Sequence, residues 1–248
     1  KFNKCVLFPL ALMVFAFGIG VIVQKDLGSS LILAAICFIC FMSTPRDYYK
    51  KYKKLVWIAL AVAVIILGFL ITAVLQGYQL QRIDSWLKPL KIENIYDSSW
   101  QLVNSLIAFT DGGIFGLGLG NSIQKYDYIP EAHNDFIGAI IYEELGIFGL
   151  ALMIIPTAII IFRLLKYADQ IQNNKSRVIL MGIASYFMLH LFVNLGGVSG
   201  LIPMTGVQLL LVSSGGSSTI AALIAIGIAQ AIISKFNKEQ LEKTDTQL

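Results

Sequence analysis

Apolar and polar positions fall along this chain in long blocks, not in the short alternation of a soluble protein. A helix that crosses a bilayer needs roughly 20 mostly apolar residues. Six runs reach or approach that length: Cys5–Val23, Leu27–Met42, Leu55–Leu75, Phe136–Leu165, Val178–Leu195 and Val207–Ser234. The second is short, and the fourth is long enough to tilt or to extend past the membrane. The pattern predicts an all-α polytopic membrane protein with six transmembrane helices, a single membrane domain over 1–248.

The polar breaks set its orientation. Arg46 to Lys54 is densely basic, Arg163, Lys166, Lys175 and Arg177 lie between the fourth and fifth runs, and Lys235, Lys238 and Lys243 follow the last. By the positive-inside rule these face the cytoplasm, together with both chain ends and a tail at 236–248. The long connection at 76–135 then faces out. A structureless loop beyond about 12–15 residues is uncommon unless it is functional or disordered. This one carries Ile83, Trp86, Leu87, Leu90, Trp100, Leu102, Leu106 and Ile107 at spacings of three and four. That pattern predicts amphipathic helices lying in the interface.

Composition strengthens the membrane reading. Apolar residues make up 56% and charged residues 14%, where soluble chains carry about 45–50% and about 25%. The mean hydropathy is +0.73. Cys5, Cys37 and Cys40 all lie inside apolar runs, which argues against a disulfide framework. Cys37 and Cys40 have zinc-like spacing, but no second pair accompanies them, so packing is the simpler role. The chain opens on Lys1, and no cleavage-site pattern follows the first apolar run; that run reads as a membrane helix with others expected ahead of it. No metal-protease His pair, nucleophile elbow, P-loop or dinucleotide fingerprint is present, and nothing points to nucleic acid.

Polar groups inside or beside membrane helices are costly and are functional candidates by default. Asp26 precedes the second run, where it either caps that helix or lines a cavity. Glu143 and Glu144 lie two turns into the fourth run; with 100° per residue, Glu143 is about 80° round from Asp135 and Glu144 about opposite. Only Glu143 is then expected to share a cavity with Asp135, unless both are paired structural residues. His190 and Asn194 stand one turn apart and suit hydrogen bonding to a neighbouring helix. The Ser213–Ser218 stretch, with Gly215 and Gly216 at its centre, either packs closely or opens the last helix onto a cavity. Asp135 stands just before the fourth run: an N-cap, or a carboxylate base at the membrane surface. The glycine-rich stretch Gly112 to Lys125 leads into it through Tyr128 to Phe136.

These blocks, taken in order, resemble the shape, elongation, division and sporulation (SEDS) family of bacterial cell-wall proteins. Gln24 to Ser29, Gly112 to Lys125, Tyr128 to Phe136, Glu143 to Gly146, Asn194 to Gly196, Leu201 to Gly206 and Ser214 to Ser218 carry the resemblance. The wording is closer to the family's division members than to its elongation members. The family has about ten membrane helices, and this chain resembles the last six. Two departures stand out: Asn134 where the family has Thr, and Leu209 to Leu211 in place of a Leu-Pro-Phe stretch, which takes a proline break out of the last helix.

The resemblance implies a peptidoglycan glycosyltransferase that polymerises lipid II into glycan strands at the outer face of the bacterial cytoplasmic membrane during division. The matching position makes Asp135 the catalytic carboxylate. Asp26, Arg82, Lys125, Glu131, His133, Glu143, Asn194, Ser214, Gly215 and Gly216 are the expected substrate-binding set. Arg82 and Lys125 are the loop cations for the departing undecaprenyl pyrophosphate, whose charge leaves room for a divalent cation, magnesium or manganese. No other cofactor follows. The implied partners are the growing glycan strand, a class B penicillin-binding protein that crosslinks it, and further membrane proteins of the division machinery. A lipid II flippase and a non-catalytic division scaffold are the alternatives; these residues alone are not expected to be active without the upstream helices.

Overall fold

The computed structural model describes residues 27–44, 84–91, 99–126, 128–130 and 132–245. Five helices stand among them: α1 Leu27–Met42, α2 Trp100–Gly112, α3 Ile137–Gln170, α4 Asn174–Val198 and α5 Gly216–Asp245. A single helical turn occupies 84–87. α3, α4 and α5 are each long and apolar enough to cross a membrane, and α1 is a shorter apolar helix. The expected first and third membrane helices, at 5–23 and 55–75, lie outside the described residues, as do Asp26, Arg82, Ile83 and Glu131.

The chain divides into two compact units. One takes Lys1–Ser43, Ile154–Val193 and Thr205–Leu248; the other takes Thr44–Met153 and Asn194–Met204.

In the first unit, Leu164, Ala168 and Ile171 of α3 and the residues just after it pack with Leu180, Ala184 and Ala229. Small residues on α4 and α5 let the helices approach closely, the packing that serves where lipid is as apolar as the core. A second cluster joins Phe187, Leu210 and Ala222. The last helix begins at Gly216, not at Val207 as the apolar run suggests. Leu209, Leu210 and Leu211 are irregular although no proline breaks them. Leu211 takes a left-handed conformation with φ 65°. The Leu209 amide donates to Ser213 Oγ at 2.8 Å, and the Val212 and Ser213 amides both donate to the Leu209 carbonyl. This local turn satisfies backbone groups without continuing the helix, a competition that serine side chains commonly win.

In the second unit, α2 uses its amphipathic pattern against protein. Its buried residues are Leu102, Asn104, Ser105, Ala108 and Gly112. Ser105 Oγ donates to the Val198 carbonyl at 2.7 Å, and Asn104 Nδ2 to the carbonyls of Trp100 and Tyr128. Trp86 Nε1 donates to the Gly200 carbonyl at 2.8 Å, so that tryptophan is tied to the turn after α4. Ile129, Phe136, Ile140 and Val198 form the apolar centre, with Phe109 and Leu195 packed on it.

Candidate functional site

The glycine-rich stretch folds onto a break in α3. Gly146 has φ 60° and ψ −141°, values that end one run of helix and start another. Such a break frees carbonyls behind it and amides ahead of it, and in a membrane these must find partners. The loop supplies them. Leu117 and Gly118 amides donate to the Glu143 and Glu144 carbonyls at 2.9 Å each, and the Ile147 amide donates to the Ile114 carbonyl at 3.0 Å. Backbone meets backbone so closely that a Cβ on Gly116 would strike the Glu144 carbonyl, and one on Gly146 the Ile114 carbonyl. Both glycines also have positive φ, so both are required here.

Two acidic side chains complete the attachment. Glu143 is fully buried. It accepts hydrogen bonds from Ser122 Oγ, from the Ile123 amide at 2.9 Å and from the Gln124 amide at 3.4 Å. Those donors compensate a carboxyl group that would otherwise be costly to bury. Glu144 pairs with Lys125 Nζ at 2.8 Å and accepts from the Ser122 amide at 3.4 Å. Lys125 also donates to the Gly120 carbonyl. Its ammonium is held above the ordinary lysine range, chiefly by the hydrogen bond to Glu144.

Sequence geometry expected only Glu143 to work beside Asp135. In the structure both glutamates bond to the loop, Glu143 through Ser122, Ile123 and Gln124 and Glu144 through Lys125. Gly146 and Ser122 are the residues that sequence reasoning missed. The glycine following Glu143, Glu144 and Leu145 inside an apolar run was the available signal.

The Asp135 turn leads into the same helix about two turns ahead of Glu143. α3 begins at Ile137, and the Phe136 carbonyl accepts from the Ala139 amide at 2.9 Å and from the Ile140 amide at 3.3 Å. Phe136 is therefore the residue at the cap position, and Asp135 stands one residue ahead of it, a correction to its reading as the N-cap. Its side chain is half-buried. Asn194 Nδ2, on α4, donates to the Asp135 main-chain carbonyl at 2.8 Å, while the Phe136 ring fixes the turn in the apolar centre. Asn194 thus orients the backbone that carries Asp135. His133 is exposed. His190 Nδ1 lies 2.9 Å from the Tyr186 carbonyl of its own helix, a local contact where an interhelical one was expected.

In the other unit, Ser214 and Gly216 are exposed and Gly215 is buried ahead of and at the start of α5. The pair of glycines does not open a helix; Gly216 begins one. Among the described residues no three His, Cys, Asp or Glu side chains come together to hold a metal, and no step below is routed through one.

Fold and site define a class: a multi-pass helical membrane protein with a carboxylate turn at the head of a spanning helix and a glycine-rich loop locked beside it. The chain belongs to the FtsW/RodA/SpoVE cell cycle protein family, whose model matches residues 1–239. It is 37% identical over 233 residues to the probable peptidoglycan glycosyltransferase FtsW of Bacillus subtilis, covering 93% of this chain and 57% of that protein. It is 33% identical to the stage V sporulation protein E of the same organism, covering 89% of this chain and 58% of the relative. The chain spans about half the length of the curated relatives it matches. A solved structure described as "Structural coordination of polymerization and crosslinking by a peptidoglycan synthase complex" matches with a TM-score of 0.65 and 25% identity, covering 89% of this chain and 59% of that one.

Proposed function

We propose that this chain carries the polymerising site of a division-type peptidoglycan glycosyltransferase acting on lipid II at the outer face of the cytoplasmic membrane. The observation that carries the reading is the Asp135 turn, a half-buried carboxyl group on a backbone held by Asn194 and Phe136 at the head of α3. A general base must be positioned before it is useful, and this one stands on a rigid element.

In the proposed reaction the Asp135 carboxylate takes the proton of the acceptor sugar's 4-hydroxyl. That oxygen bonds to the donor's anomeric carbon as the carbon–oxygen bond to the pyrophosphate breaks, and undecaprenyl pyrophosphate leaves with the electron pair. The leaving group needs cationic stabilisation. Lys125 is engaged with Glu144 in building the loop, so Arg82, the other of the two cations that the resemblance offers for it, is assigned that task. The growing strand is the second substrate, and a class B penicillin-binding protein, with other division proteins, is the proposed partner.

A flippase would use a broken helix differently, leaving the freed backbone to face a substrate or ion. Here the loop occupies the freed groups at Gly146, which favours the enzyme reading.

The test is lipid II polymerisation by the full-length protein with its transpeptidase, read as glycan ladders. Positioned base catalysis contributes about 10²–10⁴-fold, so Asp135→Asn should lose turnover on that scale while keeping the wild-type melting profile. Wild-type ladder yield from a well-folded Asp135→Asn protein would overturn the assignment.

A further inference from the structure

The loop at 112–126 has two unlike sides. Its inner side is polar and bonded: Glu143, Glu144 and Lys125 hold it to α3. Its crest is apolar and bare. Ile114 is 65% exposed, Phe115 78% and Leu119 76%. Between Asp111 at one foot and Lys125 at the other there is no charged residue.

We propose that this crest is inserted among the acyl chains of the outer leaflet, so that the loop is a second membrane anchor beside the Asp135 turn. The proposal rests on the outward orientation adopted above.

Three observations support a lipid surface as the occupant. The first is continuity. The Phe115 ring lies 6.5 Å from that of Phe148, in the turn of α3 just beyond Gly146. From Ile147 to Phe162 that helix carries no charge. This run is about 24 Å long at 1.5 Å per residue, most of a hydrocarbon core of roughly 30 Å. Phe148 and Leu152 are exposed on it, so the crest extends an apolar face that already meets lipid.

The second is backbone satisfaction. Irregular chain is excluded from hydrocarbon because its amides and carbonyls lack partners there. In this loop the Gly116, Leu117 and Gly118 amides and the Ile114 carbonyl are all bonded within the protein. These bonds lower the cost of bringing the crest into an apolar phase, because the backbone on its α3 side gives up no hydrogen bonds to water there.

The third is the apolar character of the crest. Several large apolar side chains standing together on a loop mark an interaction surface, where single exposed ones would not. A partner's transmembrane helix would also cover an apolar crest, and the test separates the two.

The full-length protein would be placed in nanodiscs, alone and with its transpeptidase. An environment-sensitive fluorophore would be attached at Phe115→Cys in a background with the native cysteines replaced by alanine, and at His133→Cys for comparison. The expected result is a blue-shifted emission at position 115, quenched by phospholipids carrying a nitroxide near the headgroup and spared by iodide, with the reverse at 133. Binding of the transpeptidase should leave this unchanged. Iodide quenching at 115 would overturn the proposal, and so would lipid quenching that disappears when the transpeptidase binds, which would give the crest to a protein. A second measurement keeps the native cysteines: benzoylphenylalanine at Leu119 should yield phospholipid adducts by mass, and a predominant protein–protein crosslink would overturn the idea. Failure of the glycosyltransferase reading would show separately, as missing glycan ladders from discs in which lipid quenching is intact.

Discussion

Two stretches rich in glycine and serine look alike as sequence and are built in opposite ways. The loop at 112–126 is joined to a distant part of the chain by backbone hydrogen bonds, by a fully buried carboxylate and by an ion pair. In the segment at 207–218 the side-chain hydrogen bonds run to near neighbours, and contact with the rest of the chain is apolar: Ser213 Oγ takes the Leu209 amide, Ser218 Oγ bonds to Gln208 Oε1 at 2.7 Å, and Leu210 packs on Phe187 and Ala222. Glycine serves different ends position by position, and Gly215 too is crowded, by the Gln208 and Ser218 side chains. At Gly116 and Gly146 it permits a contact that no side chain could share. At Gly216 a Cβ would meet nothing within 4 Å, and the left-handed turn nearby is made by a leucine. A glycine-rich block therefore says where the backbone is free to do something unusual, and only its neighbours say what.

The largest effect should come from removing the buried anchor. Glu143→Ala leaves the buried Ser122 Oγ and Gln124 amide, and the part-buried Ile123 amide, without their acceptor. Each buried group left unpaired costs about 1–3 kcal/mol, so the loop should detach while α4 and α5 stay folded. Hydrogen exchange should accelerate in peptides covering 116–126 and stay at wild-type rates in those covering 216–235. Unchanged exchange in the loop would remove the contrast between the stretches. Glu143→Gln keeps an acceptor and should fall between the two.

Gly146→Ala sharpens the same contrast from the backbone side. The position has φ 60°, and a residue held in such a sparsely populated region costs roughly 1–3 kcal/mol, with the clash against the Ile114 carbonyl added. Gly216→Ala is the paired control. No clash and no positive φ attend it, and at the first position of a helix alanine costs nothing that glycine avoids. Thermal unfolding in detergent should show a marked loss for the first and no loss for the second. Equal losses would mean that the glycines are not used differently.

These pairs also show what was legible in the sequence. Membrane helices are written in hydropathy, and α3 and α4 lie where the apolar runs place them. The break at Gly146 was hidden because hydropathy ignores backbone angles, and the bonding of Glu143 and Glu144 to the loop was hidden because helical periodicity says where a side chain points, not what folds against it. The start of α5 was misplaced because Val207 to Val212 is apolar enough to be helix, while a serine hydroxyl at Ser213 offers the backbone a competing partner. Asp135 stood out through family motifs. Its support by Asn194 depends on a contact between residues far apart in the chain, and no local pattern carries that.

The Lys125–Glu144 pair should matter less than Glu143, because both groups keep some contact with solvent and exposed pairs contribute little. Lys125→Met should loosen the loop by hydrogen exchange, but less than Glu143→Ala does. The pH dependence has a definite sign. The folded-state ammonium titrates above the ordinary lysine range because Glu144 holds it. The stabilisation is therefore complete below that range and is lost as pH rises through the raised value. Loop protection, corrected for intrinsic exchange, should be flat from pH 6 to about 9 and fall only in strong alkali. A fall near neutrality would assign the protection to another group.

The smallest effect tests the stretch whose hydrogen bonds are local. Leu211 sits at φ 65° with its side chain partly exposed, a conformation that costs an L-residue about 1–2 kcal/mol. Leu211→Gly removes that cost and adds back about 0.5–1 kcal/mol through the freedom that glycine gives the unfolded chain. The balance is a gain between zero and about 1.5 kcal/mol, visible as an unchanged or slightly higher melting temperature in detergent. A clear loss would mean that the Leu211 side chain holds the turn, and the stretch would then resemble the anchored loop more than its hydrogen bonds suggest.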